Sequence, residues 1–253
     1  MLNKFRIAKE KEINALKILE KENKLPTPYQ NIRPSFTNSL KNKYPTAIIA
    51  EYKRASPSLG DINLNISPEE AVEKYFSAGA AAISILTESD YFKGDLDFLF
   101  RANTTGLPLL RKDFILSPLQ IIATASTPAS AVLLIVRMLN DHEFEELLKL
   151  CAEFKLEAVC EVFDLKDLER AKKFNAQIIQ VNNRDLDRLK IDLETSSRLI
   201  THKENGELWI SASGISTPEE YNKLISLGFD AALIGSALMK GNNLTATLST
   251  LLR

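Results

Sequence analysis

The stretch that decides the fold runs Ala131-Val132-Leu133-Leu134-Ile135-Val136, then a charged segment over 141–154, then Glu157-Ala158-Val159-Cys160-Glu161. A short, wholly apolar run has the length of a strand buried on both faces. The charged segment has the length of a helix, and a second short apolar run closes the unit. Strand, helix, strand is the parallel crossover unit.

The same rhythm continues in both directions. Strand-like runs fall at 46–51, 82–86, 108–111, 131–136, 157–161, 177–181, 208–212 and 231–234. Helix-like runs fall at 68–78, 95–103, 117–125, 141–154, 165–174, 193–202, 217–227 and 244–252. Ser67-Pro68-Glu69-Glu70 and Thr217-Pro218-Glu219-Glu220 each supply an N-cap, a proline in the first turn and early acids. Gly79 and Gly228 stand where those helices should stop. Eight such units, about 26 residues each, predict an α/β fold of the closed (β/α)8 type, a TIM barrel. An open doubly wound sheet is the runner-up.

Residues 1–45 lie outside this rhythm. Ile13, Leu16 and Leu19 have helical spacing in a charged segment over 5–22, and Leu25-Pro26-Thr27-Pro28 ends it. The expected organisation is an N-terminal helical extension over 1–45 packed on a barrel over 46–253, one domain overall. The extension has a net charge of +6 against −7 for the remainder. A solvated basic helix over an acidic body accounts for this imbalance.

Composition narrows the function. The chain has 253 residues with a net charge of −1, which argues against a nucleic-acid partner. Two histidines and two cysteines provide neither a metal site nor a disulfide framework, so a reduced cytoplasmic setting is expected. The segment 114–136 carries no charge and is long enough to span a membrane, but Pro118, Pro128 and Gln120 divide it into two shorter elements. No membrane partner is expected. Length excludes a second fused barrel, so the chain reads as monofunctional, a monomer or weak homo-oligomer. Nine glycines is few for this length, which makes the position of each one informative.

In a barrel of this type chemistry sits at the C-terminal strand ends. With Ile49 inward, period-2 alternation turns Glu51 and Lys53 into the mouth after the first strand. Leu110 and Lys112 share a face on the third. Glu161 faces inward on the fifth, with Cys160 toward the helices. Gln180, Asn182 and Arg184 share a face on the sixth. Lysines beside carboxylates, with no histidine near, are the candidates for proton transfer. After the last two strands come Ser213-Gly214 and Gly235-Ser236, small residues that expose backbone N–H groups at the usual phosphate position. The residues therefore describe a barrel enzyme acting on a phosphorylated small molecule. They do not by themselves reveal the reaction.

Ile48-Ile49-Ala50-Glu51-Tyr52-Lys53-Arg54-Ala55-Ser56-Pro57-Ser58 closely resembles the signature of the indole-3-glycerol phosphate synthase family. Leu109-Leu110-Arg111-Lys112-Asp113-Phe114-Ile115, Glu161-Val162, Asn182-Asn183-Arg184-Asp185-Leu186, Ser213-Gly214-Ile215 and Ile234-Gly235-Ser236-Ala237-Leu238-Met239 follow in the family's order. Leu86-Thr87-Glu88 and Tyr91-Phe92-Lys93-Gly94 also look like the family. The resemblance implies ring closure, decarboxylation and dehydration of 1-(2-carboxyphenylamino)-1-deoxyribulose 5-phosphate in tryptophan biosynthesis, with no cofactor. It implies Lys112 as general acid and Glu161 as general base. Lys53 would meet the substrate carboxylate, Glu51 would orient the lysines, and Asn182 and Arg184 would hold the hydroxylated chain. It places phosphate at Ser56, Ser213, Gly214, Gly235 and Ser236, and the anthranilate ring between Phe92 and Phe114.

Two departures stand out. The family usually has Glu-Ser-Gly after the seventh strand, where this chain has Ala212-Ser213-Gly214, and it commonly has Gly-Ala-Asp where this chain has Pro128-Ala129-Ser130. The missing carboxylate motivates two alternatives, an impaired enzyme and a non-catalytic phosphate-ligand-binding barrel. A related phosphoribosyl isomerase barrel would need a Cys/Asp or Asp/Asp pair, which the Glu-Tyr-Lys run argues against. A Schiff-base aldolase using Lys112 is the weakest alternative.

Overall fold

The computed structural model describes residues 2–185, 190–241 and 243–252; Leu186 of the sixth-strand motif lies outside them. Two helices, α1 (Leu2–Lys21) and α2 (Phe36–Lys43), precede β1 (Ile48–Tyr52). A small hairpin, β2 (Ala55–Ser56) and β3 (Gly60–Asp61), leads to α3 (Pro68–Ser77), β4 (Ala82–Leu86), α4 (Phe98–Arg101) and β5 (Leu109–Lys112). Then come α5 (Pro118–Ala125), β6 (Ala131–Ile135), α6 (Asp141–Glu153), β7 (Glu157–Val162), α7 (Leu165–Lys173) and β8 (Ile178–Asn182). The chain ends with α8 (Glu194–Leu199), β9 (Leu208–Ala212), α9 (Pro218–Ser226), β10 (Ala231–Ile234), α10 (Ser236–Lys240) and α11 (Leu244–Leu251).

All strands except the hairpin pair close into one barrel, β1 meeting β4 on one side and β10 on the other, both in parallel register. The alternation sorts side chains as the sequence predicts. Ile49, Leu110, Val159, Ile210 and Leu233 pack together inside the barrel, while Ile48, Cys160, Ile179 and Trp209 pack against the helices. Each such large side chain contributes about 2 kcal/mol by leaving water, so a register slip would be costly on both faces at once.

The capping signals act as read. Ser67 Oγ accepts from the Glu70 N–H at 3.2 Å, and Thr217 with Glu220 forms a capping box. The uncharged segment 114–136 resolves into α5 and β6, and among the described residues no helix is long and apolar enough to cross a membrane.

Three elements differ from the sequence reading. The helix expected over 95–103 contracts to the single turn of α4, which has no side-chain cap. α10 occupies what reads as a turn after β10. The third is α2, in the proline-punctuated stretch. Its Phe36 and Leu40 are fully buried under the N-terminal strand ends beside Ala47, Ala81 and Ala131. The start of α2 is held from far away in sequence. The Glu157 carboxylate accepts the N–H groups of Phe36 and Thr37 at 2.6 and 2.9 Å, satisfying two otherwise orphaned donors.

α1 crosses the outside of the barrel beside α5, with Leu16 packed on Leu119 and Ala123. Its inner stripe also carries Phe5 and a buried lysine, Lys9. Lys9 Nζ meets Asp113 Oδ1 at 2.8 Å, Arg111 Nη2 meets Asp113 Oδ2 at 2.8 Å, and Glu12 pairs with both cations. The basic extension is thus fastened by buried charge directly behind the end of β5.

Candidate active site

A cavity of about 610 Å³ opens at the C-terminal ends of the strands. Glu51, Lys53, Ser56, Phe92, Lys112, Phe114, Glu161, Asn182, Arg184, Ser213, Gly214, Gly235 and Ser236, the residues singled out from sequence, all line it. Parallel strands deliver them there because each strand ends at the same rim and every second residue faces inward.

Two Lys–Glu pairs dominate the chemistry. Lys53 Nζ lies 2.7 Å from Glu51 Oε1, and Lys112 Nζ lies 3.3 Å from Glu161 Oε2. The carboxylates are almost wholly buried, whereas the lysine side chains keep 14% and 17% exposure, so the amines reach into the open space. Burial pushes the Arg184 guanidinium below the ordinary arginine range, and the Glu51 carboxylate opposes that shift. Asn182 Oδ1 accepts the Arg184 N–H at 2.9 Å, fixing the turn that leaves β8.

The rim opposite is built from backbone. Ser213 and Gly214 have φ of +71° and +86°, two consecutive residues in the left-handed region, so the chain turns sharply as it leaves β9. A β-carbon at Gly214 would strike Ile191, and one at Gly235 would strike the Glu51 carboxylate. Only glycine lets the strand-end turn approach Glu51 so closely.

Aromatic rings form the other wall. Phe5 stacks on Phe114 with centroids 4.1 Å apart and planes at 12°, and Phe92 sits 6.2 Å from Phe114. The loop carrying Phe92 is tied down by Glu88, whose carboxylate accepts the N–H groups of Asp90, Tyr91 and Phe92 at 2.9, 2.8 and 3.0 Å. Burial pushes the Glu88 carboxyl above the usual carboxylate range, and those N–H donors work against it.

A sequence profile described as indole-3-glycerol phosphate synthase matches residues 2–251. The chain belongs to the indole-3-glycerol phosphate synthase family. It is 45% identical over 210 residues to the indole-3-glycerol phosphate synthase of Aquifex aeolicus, covering 82% of this chain and 81% of that one. It is 38% identical over 241 residues to that of Desulfosudis oleivorans, covering 94% and 92%. Among solved structures, the N-acetylmannosamine-6-phosphate 2-epimerase of Clostridium perfringens superimposes with a TM-score of 0.60 at 16% identity, over 82% of this chain and 92% of that one; this likeness concerns the barrel fold alone.

Against that family, Ala212 is a member's departure seen in place. It is buried at the end of β9, beside Asn182 in register, and its methyl group lines the cavity at the position where the resemblance leads one to expect a carboxylate. Sequence reasoning missed three contributors. Phe5 and Lys240 line the cavity, and Asp113 borders it while anchoring α1. Gln180, read as inward-facing but given no role, lies beneath, bonded to Glu161. A signal existed for the first: Phe5, Lys9, Glu12 and Leu16 fall on one helical stripe. Charges on a stripe that is otherwise apolar announce buried partners.

Proposed function

We propose that the chain converts 1-(2-carboxyphenylamino)-1-deoxyribulose 5-phosphate to indole-3-glycerol phosphate, CO2 and water. The observation that carries this reading is the pair of Lys–Glu ion pairs lining one cavity at the strand ends. Ring closure needs an acid at a carbonyl oxygen, and dehydration needs an acid and a base. Two amines and two carboxylates meet that need.

In this reading the ring carbon that bears the carboxylate attacks the carbonyl carbon, and Lys112 delivers a proton to the developing alkoxide. The C–CO2 bond then breaks, and its electron pair restores the aromatic ring. Glu161 removes a proton from the neighbouring carbon while Lys53 protonates the departing hydroxyl, which leaves as water. Two protons are given and one is taken, so each turnover draws one from solvent.

The remaining groups hold the substrate. Lys53 also meets its carboxylate before that group is lost, and Glu51 orients the lysines. Asn182 and Arg184 bind the hydroxylated chain. The phosphate lies at Ser56 and the Ser213–Gly214 and Gly235–Ser236 turns, and the anthranilate ring lies against Phe92, Phe114 and Phe5. The reading needs no cofactor, and sets the chain in the cytoplasm as a monofunctional monomer or weak homo-oligomer, with 1–45 an extension of one barrel domain.

Incubating the purified chain with the carboxyphenylamino substrate tests this reading through the appearance of indole fluorescence. Turnover supports it. Tight binding without turnover favours the non-catalytic barrel that Ala212 suggests.

A further inference from the structure

Gln180 is a buried amide inside the barrel, with no solvent exposure. It stands beside Glu161 in the β7–β8 register and beside Ile210 on the other side. Its Nε2 donates to Glu161 Oε2, the same oxygen that Lys112 Nζ meets at 3.3 Å. Its own Oε1 has no hydrogen-bond partner among the described residues. A buried carbonyl without a partner is costly, and an apolar side chain of the same length would avoid that cost. The residue therefore does something for Glu161 that packing does not explain.

The direction of the amide follows from charge. Facing an ionised carboxylate, the N–H side is attracted and the C=O side repelled. Both donors fall on Oε2, and among the described residues none reaches Oε1. Glu161 is thus held by one oxygen while the other faces the cavity. A proton taken up on Oε1 leaves Oε2 as the carbonyl oxygen, still an acceptor, so the contact from the Gln180 amide holds in both protonation states.

We infer that Gln180 is a positioning residue for Glu161, pinning Oε2 so that Oε1 faces the substrate before and after Glu161 has taken a proton. This rests on Glu161 being the base of the proposed reaction. The charged groups that share the cavity with Glu161 are Lys112 and Asp113 at β5, Glu51 and Lys53 at β1, Arg184 after β8 and Lys240 on α10; the neighbouring β6 presents only Leu133 and Ile135.

The test compares the full-length chain with Gln180→Met, near-isosteric but lacking the amide, and with Glu161→Gln. Indole fluorescence gives kcat and KM across pH, and thermal unfolding gives the midpoint. For Gln180→Met we expect kcat lower by about tenfold and KM within about twofold. The acidic limb of kcat/KM should move to higher pH, since losing a donor disfavours a charged carboxylate. The unfolding midpoint should stay level or rise, because a buried unpaired carbonyl has been removed. A fall in activity accompanied by a lower midpoint and an unmoved acidic limb would mean that Gln180 only packs. Unchanged kcat and pH profile would also overturn the inference. Glu161→Gln separates the two readings. If it is inactive while Gln180→Met behaves as wild type, only the role of Gln180 is lost; if it retains turnover, the assignment of Glu161 as base fails and this inference with it. Placing Gln180→Met on Glu161→Gln should cost no further activity.

Discussion

Replacing Asp113 with asparagine should destabilise the protein by several kilocalories per mole while leaving the shape of the side chain intact. Asp113 is fully enclosed and accepts from Lys9 Nζ, Arg111 Nη2, Thr87 Oγ1 and the Phe114 N–H at 2.8, 2.8, 2.6 and 2.8 Å. Asparagine keeps one acceptor and turns an N–H donor toward groups that are themselves donors. The two cations stay buried, with side-chain exposures of 5% and 1%, and are left to share Glu12, which is 30% exposed. Removing one member of a buried ion cluster costs about 3–5 kcal/mol, because the remaining charge is desolvated without compensation. For a chain of this size that corresponds to about 10 °C in melting temperature.

Chemical denaturation at neutral pH is the assay, and its pH dependence adds an internal check. Burial pushes the Asp113 carboxyl up, but the charges of Arg111 and Lys9 outweigh it and hold it well below the usual carboxylate range, at about 2. A depressed folded-state value means the stabilisation is fully present above the unfolded value near 4 and is lost as pH falls toward 2. Wild type and Asp113→Asn should therefore converge in stability across that interval. A difference below about 1 kcal/mol at pH 7, or one that persists unchanged to pH 2, would refute the claim that this cluster holds α1 to the barrel.

Three further outcomes are expected. Lys112→Ala should abolish turnover while sparing phosphate-dependent substrate binding, measured by calorimetry; equal loss of both would show that Lys112 acts in binding. Ala212→Glu should raise kcat by about tenfold, since it places a carboxylate at a cavity-facing position beside Asn182; a drop would mean that the site is built around the methyl group. Cys151 and Cys160 should not react with a thiol reagent in the native state at pH 8, because burial pushes the Cys151 thiol up to about 12 and that of Cys160 higher still; modification within minutes would contradict their packing under the helices.

The barrel was legible because its signals are local and repeated. Every strand announces itself by a short apolar run, and parity then decides that Lys112 and Glu161 face inward while Cys160 does not. What parity cannot convey is contact between elements distant in sequence. α2 has only a short local signature, Ser35 accepting the Asn38 N–H at 3.2 Å, and the rest of its N-terminus is held by Glu157, 121 residues from Phe36. The Lys9–Asp113 pair was legible only by half for the same reason: the stripe it shares with Phe5 and Leu16 turns Lys9 inward, but nothing local names Asp113 as its partner. Gln180 illustrates a third limit. Its inward face was readable, but its meaning depends on which oxygen of Glu161 it touches, and a sequence does not specify atoms.

The arrangement of the cavity shows how a barrel positions long, flexible lysines. A lysine stem has four rotatable carbons and poor intrinsic precision. Here the precision comes from the carboxylates, which are themselves fixed by backbone. Gly235 has no β-carbon, so the turn after β10 closes against Glu51 and leaves that carboxylate little freedom, and Glu51 in turn holds Lys53 at 2.7 Å. On the other side Glu161 is secured within β7 and by the Gln180 amide, and it draws Lys112 to 3.3 Å. In each pair the buried partner is the anion and the more exposed partner is the cation. The opposite order would bury the flexible group and expose the rigid one, losing both placement and access. The smallest residue at the rim and an amide with no route to solvent thus determine where two amines sit in the cavity.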